Sequence, residues 1–522
     1  MKIRLCILAV AAAGLTSLAF VSESNSQSVT EQSIVSRRLR EINTVVVIYA
    51  ENRSFDNLYG NFPGANGLKT AFQQMTLNRQ KDRDGSVLKE LPPIWNGLTA
   101  PGVVPPVTQA QTEHLPNAPF GIDDPQGFNQ PLSVATRDLV HRFYQNQMQI
   151  HGGKNDRFAA YGDSGALVMG YYDGSKLPLW AVAKKYTLAD NFFMGAFGGS
   201  FLNHQFLICS CAPTYPHADQ SPASGSVSVV NPDGVSLTLA ANSPASAIDG
   251  TPKFVKDGAL TPDFYAVNTM QPAYQPSAIP PAPGGDPAYA DPASASRLPP
   301  QTSKTIGELL SAKGVTWAWY AGAWQTTLDG ANASPTPNFQ YHHQPFNYFA
   351  AYAPGTPARA EHLLDGGVAG AKFIAAIDAG ALPQVSFYKP QGNLNEHPGY
   401  TDALSGDQHI ADVISHLEKS PQWGHMLVIV TYDENGGFWD HVAPPKADRW
   451  GPGSRIPALI ISPFGKKNYV DHTRYDTTSI LRFLTRRFDL PVLPGLLARD
   501  RAMFRQAGQP IGDLTRALDS SR

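Results

Sequence analysis

Two adjacent acids, Asp433 and Glu434, stand directly after the apolar run "HMLVIVTY" (425–432), in the stretch "TYDENGGFWDH". A second apolar run, "TVVVIYA" (44–50), delivers Glu51 and Asn52 in the same manner. In an open α/β sheet, ligands bind outside the carboxyl ends of the strands. Both runs would therefore bring three carboxylates and an amide to one sheet edge. Carboxylates that close repel one another, and each loses hydration on burial. A divalent cation resolves both difficulties. All-oxygen donors suit a hard ion such as Mg²⁺, Ca²⁺ or Mn²⁺, and Zn²⁺ also remains open. Either run alone would fit an ordinary solvated strand end; the two together point to one metal site.

A third piece is "NFFMGAFGGSFLNHQFLI" (191–208). Its apolar run stops at Gly198-Gly199, and Ser200 opens a helix. Glycines allow the backbone close approach to a ligand, and the unpaired N–H groups of a helix start favour a phosphate. A serine there, beside a metal, can ionise and attack phosphorus. Asn203, one turn on, could donate to a phosphoryl oxygen. The same stretch also reads as a plain turn with Ser200 as helix cap. Among fourteen histidines, five fall in suggestive settings. They are His114 in "TEHLPN", His342 and His343 in "YHHQPF", His397 in "NEHPGY" and His441 in "FWDHVAPP". Imidazoles suit a phosphate pocket because they donate hydrogen bonds when protonated and can protonate a leaving alkoxide. The surroundings of His141 and His204 suggest no role.

These groups need a scaffold that brings distant segments together. Buried parallel strands are predicted at 44–50, 316–322, 384–390, 425–432 and 458–464. Helical patterns lie between them, at "PLWAVAKKY", "TSKTIGELLSAKG", "GDQHIADVISHLEKSP" and "TTSILRFLTRRF". The alternation predicts an α/β fold with a central, mostly parallel sheet flanked by helices. Residues 213–300 differ, being rich in Pro, Ala, Ser and Gly. They read as an insertion or lid, or else as a solvated loop.

Bulk properties narrow the function. Net charge is −2, so there is no polybasic footprint for nucleic acid. Lys2 and Arg4, the apolar "LCILAVAAAGLTSLAFV" and the polar "SESNSQS" read as a signal peptide over 1–27. An uncleaved anchor is the alternative, although 17 apolar residues are at the short edge of a spanning helix. Cleavage would leave a periplasmic or secreted protein with no stable membrane insertion. Beyond that segment only Cys209 and Cys211 remain, as a local disulfide or as two buried thiols.

In order along the chain, "VVVIYAENRSFDNLYG", "GGSFLNHQF", "NEHPGYTD", "TYDENGGFWDHVAPP", "GPGSRIPALIISPF" and "YVDHTRYDTTSILRFLTRRF" resemble the blocks of one family. It is the bacterial phosphoesterase family of phosphocholine-type phospholipases C and secreted acid phosphatases. The resemblance spans roughly residues 40–495. It implies a fold like the alkaline phosphatase superfamily, in a single catalytic domain over 40–522. It implies one divalent metal ion held by Glu51, Asn52, Asp433 and Glu434, with Ser200 as nucleophile and further ligand. His114, His342, His343 and His397 look like the pocket histidines of the acid phosphatase branch, and Asn203 matches the asparagine after the nucleophile. Phospholipase members usually carry a threonine nucleophile and further C-terminal β domains. This chain has serine and ends about thirty residues after "RRFDLPVLPG". The expectation is therefore an acid phosphatase acting on phosphate monoesters through a phosphoserine. The alternative is a phospholipase C. Its partners would be small phosphate esters or phospholipid head groups, not nucleic acid.

Overall fold

The computed structural model describes residues 34–74, 79–334 and 336–520. The expected signal peptide, 1–27, lies outside them. Eight strands form the central sheet: β1 (Thr44–Ala50), β2 (Thr187–Ala189), β3 (Trp317–Gly322), β4 (Leu363–Gly367), β5 (Val385–Lys389), β6 (Met426–Tyr432), β7 (Ala458–Ile461) and β8 (Tyr469–Asp471). Their spatial order is β8-β2-β7-β6-β1-β5-β3-β4. The long apolar strands β1, β5, β6 and β3 are buried along their whole length, as parallel strands covered on both faces must be.

The sheet is mostly parallel, with one correction. β7, expected as another parallel strand, runs antiparallel to both β6 and β2. An apolar run of four to eight residues shows that a strand is buried but carries no direction. Helix α1 spans Ser200–Cys209 and helix α2 spans Ala403–Lys419. Every residue of α1 is buried, which is why its sequence shows no polar face. Cys209 and Cys211 at its end are joined by a disulfide.

Residues 213–300 contain short 3₁₀ turns and isolated bridges, yet they are fastened to the body. The Arg83 guanidinium donates to the carbonyls of Ser246 (3.0 Å) and Gly250 (2.7 Å). Arg142 donates to those of Asp257 and Gly258, both at 3.0 Å. Leu237, Leu260, Val267 and Met270 are buried beneath.

Candidate active site

Strand register brings the acids together. β1 and β6 pair in parallel with Ala50 opposite Tyr432, so Glu51 and Asp433 leave the same edge side by side. On the other flank of β1, Ile48 lies opposite Tyr388, which places Lys389 at that edge too. The Asn52 N–H donates to Asp433 Oδ1 (3.2 Å), and the Arg53 N–H donates to the Glu434 carbonyl (3.0 Å). Asn52 has φ 64° and Gly436 φ 62°. A Cβ on Gly436 would lie 2.3 Å from the Asn52 carbonyl oxygen, so only glycine lets these two turns touch.

Each acid accepts hydrogen bonds through one oxygen and none through the other. Asp433 Oδ1 accepts from the backbone N–H groups of Asn52 and Glu434, while Oδ2 has no hydrogen-bond partner. Glu434 Oε2 accepts from Gly436 N–H (2.5 Å), while Oε1 has none. Glu51 Oε2 accepts from Asn395 Nδ2 (2.8 Å). Its Oε1 has the Lys389 ammonium Nζ at 2.7 Å and His343 Nε2 at 2.5 Å, the latter an imidazole whose burial disfavours its charged form. All three carboxylates are buried. Burial pushes the Asp433 carboxyl up to about 7, against the pull of Lys389, and raises Glu434 well above the usual range. Burial also opposes charge on Glu51, but His343 and Lys389 outweigh it and hold this carboxyl well below its ordinary value. Glu51 and Asp433, with His204, offer ligand atoms within 4.8 Å of one another, and buried carboxylate oxygens without hydrogen bonds, beside an amide and a hydroxyl, fit a hard divalent cation.

Ser200 meets this edge from the opposite direction. Gly198 has φ 89°, and a Cβ there would lie 2.5 Å from the backbone of Phe143. The tight turn presents Ser200 at the start of α1, where Oγ donates to Asn52 Oδ1 (3.3 Å). Asn52 Nδ2 in turn donates to His397 Nε2 (2.7 Å), which orients the amide. Asn203 does not reach toward a phosphate as expected. It is buried, its Oδ1 accepts from Ala196 N–H (2.9 Å), and its Nδ2 donates to the carbonyls of Ala196 (3.1 Å) and Gly199 (3.2 Å). Those bonds occupy the amide in holding the turn before Ser200.

A cavity of about 360 Å³ opens onto Ser200, Glu51, His141, His342, His397 and Tyr400. The structure thus gathers Ser200, Asn52, Glu51, Asp433, Glu434, His342, His343 and His397, with His343 behind Glu51. His114 is a correction. Its side chain is 80% exposed and pairs with Glu90 at 3.1 Å, and it does not line the cavity. His441 pairs with Asp56 (2.7 Å), in a separate buried cluster with Asp440 and Arg455.

Four residues here had no sequence expectation. His141 lines the cavity, with Nε2 3.7 Å from Glu434 Oε1. Its Nδ1 lies 2.6 Å from the Leu139 carbonyl, which only accepts, so Nδ1 carries a proton. Burial disfavours a charged ring, yet Glu434 and Asp138 raise it to about 9. His204 is buried behind Ser200, and its Nδ1 donates to the Ser200 carbonyl (2.7 Å). Lys389 and Asn395 both contact Glu51. The edge rule that singled out Glu51 and Asp433 also reaches Lys389, the last residue of β5. The bare "RDLVHRF" around His141 offers no comparable signal.

A serine hydroxyl beside buried carboxylates at the edge of a mostly parallel α/β sheet suits the hydrolysis of phosphoric esters. Residues 42–491 match the model of the Phosphoesterase family, and the chain belongs to that family. Phospholipase C A of Mycobacterium tuberculosis is 24% identical over 524 residues, covering 92% of this chain and 78% of that protein. The non-hemolytic phospholipase C of Pseudomonas aeruginosa is 29% identical over 253 residues, 42% of this chain and 33% of that one. Among solved structures, a Vibrio parahaemolyticus protein in the alkaline phosphatase superfamily covers 69% of this chain and 67% of its own at 11% identity. Its TM-score is 0.30, too loose an overlap to bear on mechanism.

Proposed function

We propose that the chain is a metal-dependent phospholipase C, which releases a phosphorylated head group from a phospholipid through a covalent intermediate on Ser200. The observation that carries the catalytic part is Ser200 Oγ, 3.3 Å from Asn52 Oδ1, beside three buried carboxylates with bare or ion-paired oxygens. Relatives named phospholipase C along most of the chain support the substrate class and shift the balance from the acid phosphatase expected above. The monoesterase reading keeps one support, a serine where phospholipase members usually carry threonine.

Glu51, Asn52, Asp433 and Glu434, with Ser200, would hold the cation. Bound there, it supplies Lewis acidity toward a phosphoryl oxygen and lowers the pKa of a coordinated hydroxyl. Ser200 enters as the alkoxide, its proton released to solvent. Oγ attacks phosphorus in line with the glycerol oxygen; the Oγ–P bond forms and the P–O(glycerol) bond breaks. His141, a wall of the cavity, gives the departing oxygen its proton. The neutral ring then takes a proton from water, whose oxygen bonds to phosphorus as the Oγ–P bond breaks. His397 keeps the Asn52 amide oriented, and the α1 start presents N–H groups to the phosphoryl oxygens.

The deciding experiment offers phosphatidylcholine and p-nitrophenyl phosphate to wild type and Ser200→Ala. Diacylglycerol release that Ser200→Ala abolishes is the expected result. Phosphate release from the monoester, with no diacylglycerol, would establish the monoesterase instead. Export is part of this reading. It is supported by the basic and apolar start of the chain and by the Cys209–Cys211 disulfide, which suits an oxidising compartment. Among the described residues no helix is long and apolar enough to cross a membrane.

A further inference from the structure

The surface beside the cavity mouth carries an apolar loop that the fold leaves uncovered. Between Leu91 and Thr112 there is no charged residue, and none again from Pro125 to Thr136. Within the first stretch, Val104 is 88% exposed, more than any other large apolar side chain among the described residues. Pro101, Pro105 and Pro106 around it are exposed as well.

This loop is coupled to the active site through backbone. Ala100 N–H donates to the Ala135 carbonyl (2.9 Å), and Arg137 N–H donates to the Leu98 carbonyl (3.0 Å). The segment so paired continues directly into Asp138, Leu139, Val140 and His141, which wall the cavity. A shallow groove beside the loop is lined by Val103, Val134, Ala135, Leu394 and Tyr400, and Tyr400 is also a wall of the catalytic cavity. The groove's carboxylate, Asp402, is occupied as the cap of α2, accepting from Ser405 N–H (2.7 Å).

We propose that the Pro101–Pro106 loop is an interfacial anchor, which dips into an uncharged phospholipid surface and sets the cavity mouth against it. The proposal rests on the phospholipase reading for its purpose, although the loop's binding can be tested without it. Water-exposed valine and proline in a stretch without charged residues, its one adjoining cation Arg137 engaged by the Trp95 and Gly97 carbonyls, suit the boundary between head groups and acyl chains. A chain of net charge −2 with no basic residue in either stretch points to a zwitterionic rather than an anionic surface.

The test uses the full chain and phosphatidylcholine vesicles. In the Ser200→Ala background, which spares the vesicles, the protein is expected to co-sediment with them. Adding Val104→Asp should lower that partition about tenfold or more, since a charge replaces the valine that enters the lipid, and Val104→Leu should retain it. In the active protein, Val104→Asp should slow vesicle hydrolysis by a similar factor and leave p-nitrophenyl phosphorylcholine hydrolysis unchanged. Equal sedimentation of the Ser200→Ala protein with and without Val104→Asp would overturn the anchor, as would equal slowing on both substrates. A wild type that cleaves only soluble monoesters would sink the phospholipase reading, and the sedimentation result would still decide the loop.

Discussion

Lys389 Nζ lies 2.7 Å from Glu51 Oε1, and both side chains are fully buried at the carboxyl edge of the sheet. Neither charge tolerates the loss of the other. Removing one partner of a buried pair typically costs about 3–5 kcal/mol, because the remaining charge is left uncompensated. Lys389→Met should therefore lower the unfolding free energy of the metal-free protein by roughly that amount. A saturating divalent ion should recover part of it. Urea titrations with and without the ion measure both; an unchanged midpoint would mean that Glu51 is neutral in the fold.

Chelation should abolish turnover and lower the melting temperature, because Asp433 Oδ2 and Glu434 Oε1 accept no hydrogen bond. Activity assays after adding back Mg²⁺, Ca²⁺, Mn²⁺ or Zn²⁺ one at a time identify the ion. Full activity after exhaustive chelation would count against the whole edge as a metal site.

His141→Gln separates the acid from the other histidines. The loss should be about 10²–10⁴-fold for a glycerol leaving group, and much smaller for p-nitrophenolate, which departs without a proton. Equal losses on the two substrates would assign His141 to binding rather than proton transfer.

Asn203→Ala leaves the Ala196 N–H and carbonyl without their partner. Each unsatisfied buried group costs about 1–3 kcal/mol, so a lower unfolding midpoint is expected. A variant of wild-type stability that binds substrate poorly would return Asn203 to the phosphate.

Asp407 lies in α2, with burial pushing its carboxyl up to about 8, and Leu179 N–H donating to Oδ1 at 2.7 Å. A carboxyl raised in the fold is protonated there while the unfolded chain ionises above about 4. Its contribution is therefore full at low pH and is lost as pH rises from about 4 to about 8, by at most about 1.4 kcal/mol per unit. Asp407→Asn keeps the bond from Leu179 and removes the titration. It should be more stable than wild type at pH 8 and close to it at pH 4, as read by denaturant midpoints across that range.

The alternation of apolar runs and amphipathic helices, and with it the mostly parallel sheet, was legible because burial on both faces leaves strands continuously apolar. Glu51, Asn52, Asp433 and Glu434 were legible for a related reason. Parallel strands end at the same edge, so a polar cluster just past each apolar run is an address as well as a composition. Ser200 was readable from the glycine pair ahead of it. The direction of β7 was not, since periodicity carries no polarity.

The histidines show where such reading ends. His114 and His141 both sit in loops, and nothing local distinguishes them. Only the fold decides that one pairs with Glu90 on the surface while the other faces Glu434. Asn203 has the right spacing from Ser200 to touch a substrate, but its rotamer is claimed by the turn before it. Sequence determined which strand ends carry acids and which helix start carries the hydroxyl, because those depend on local pattern. The tertiary structure alone decided which loop residues close the site, because that depends on long-range packing that leaves no periodic trace in the chain.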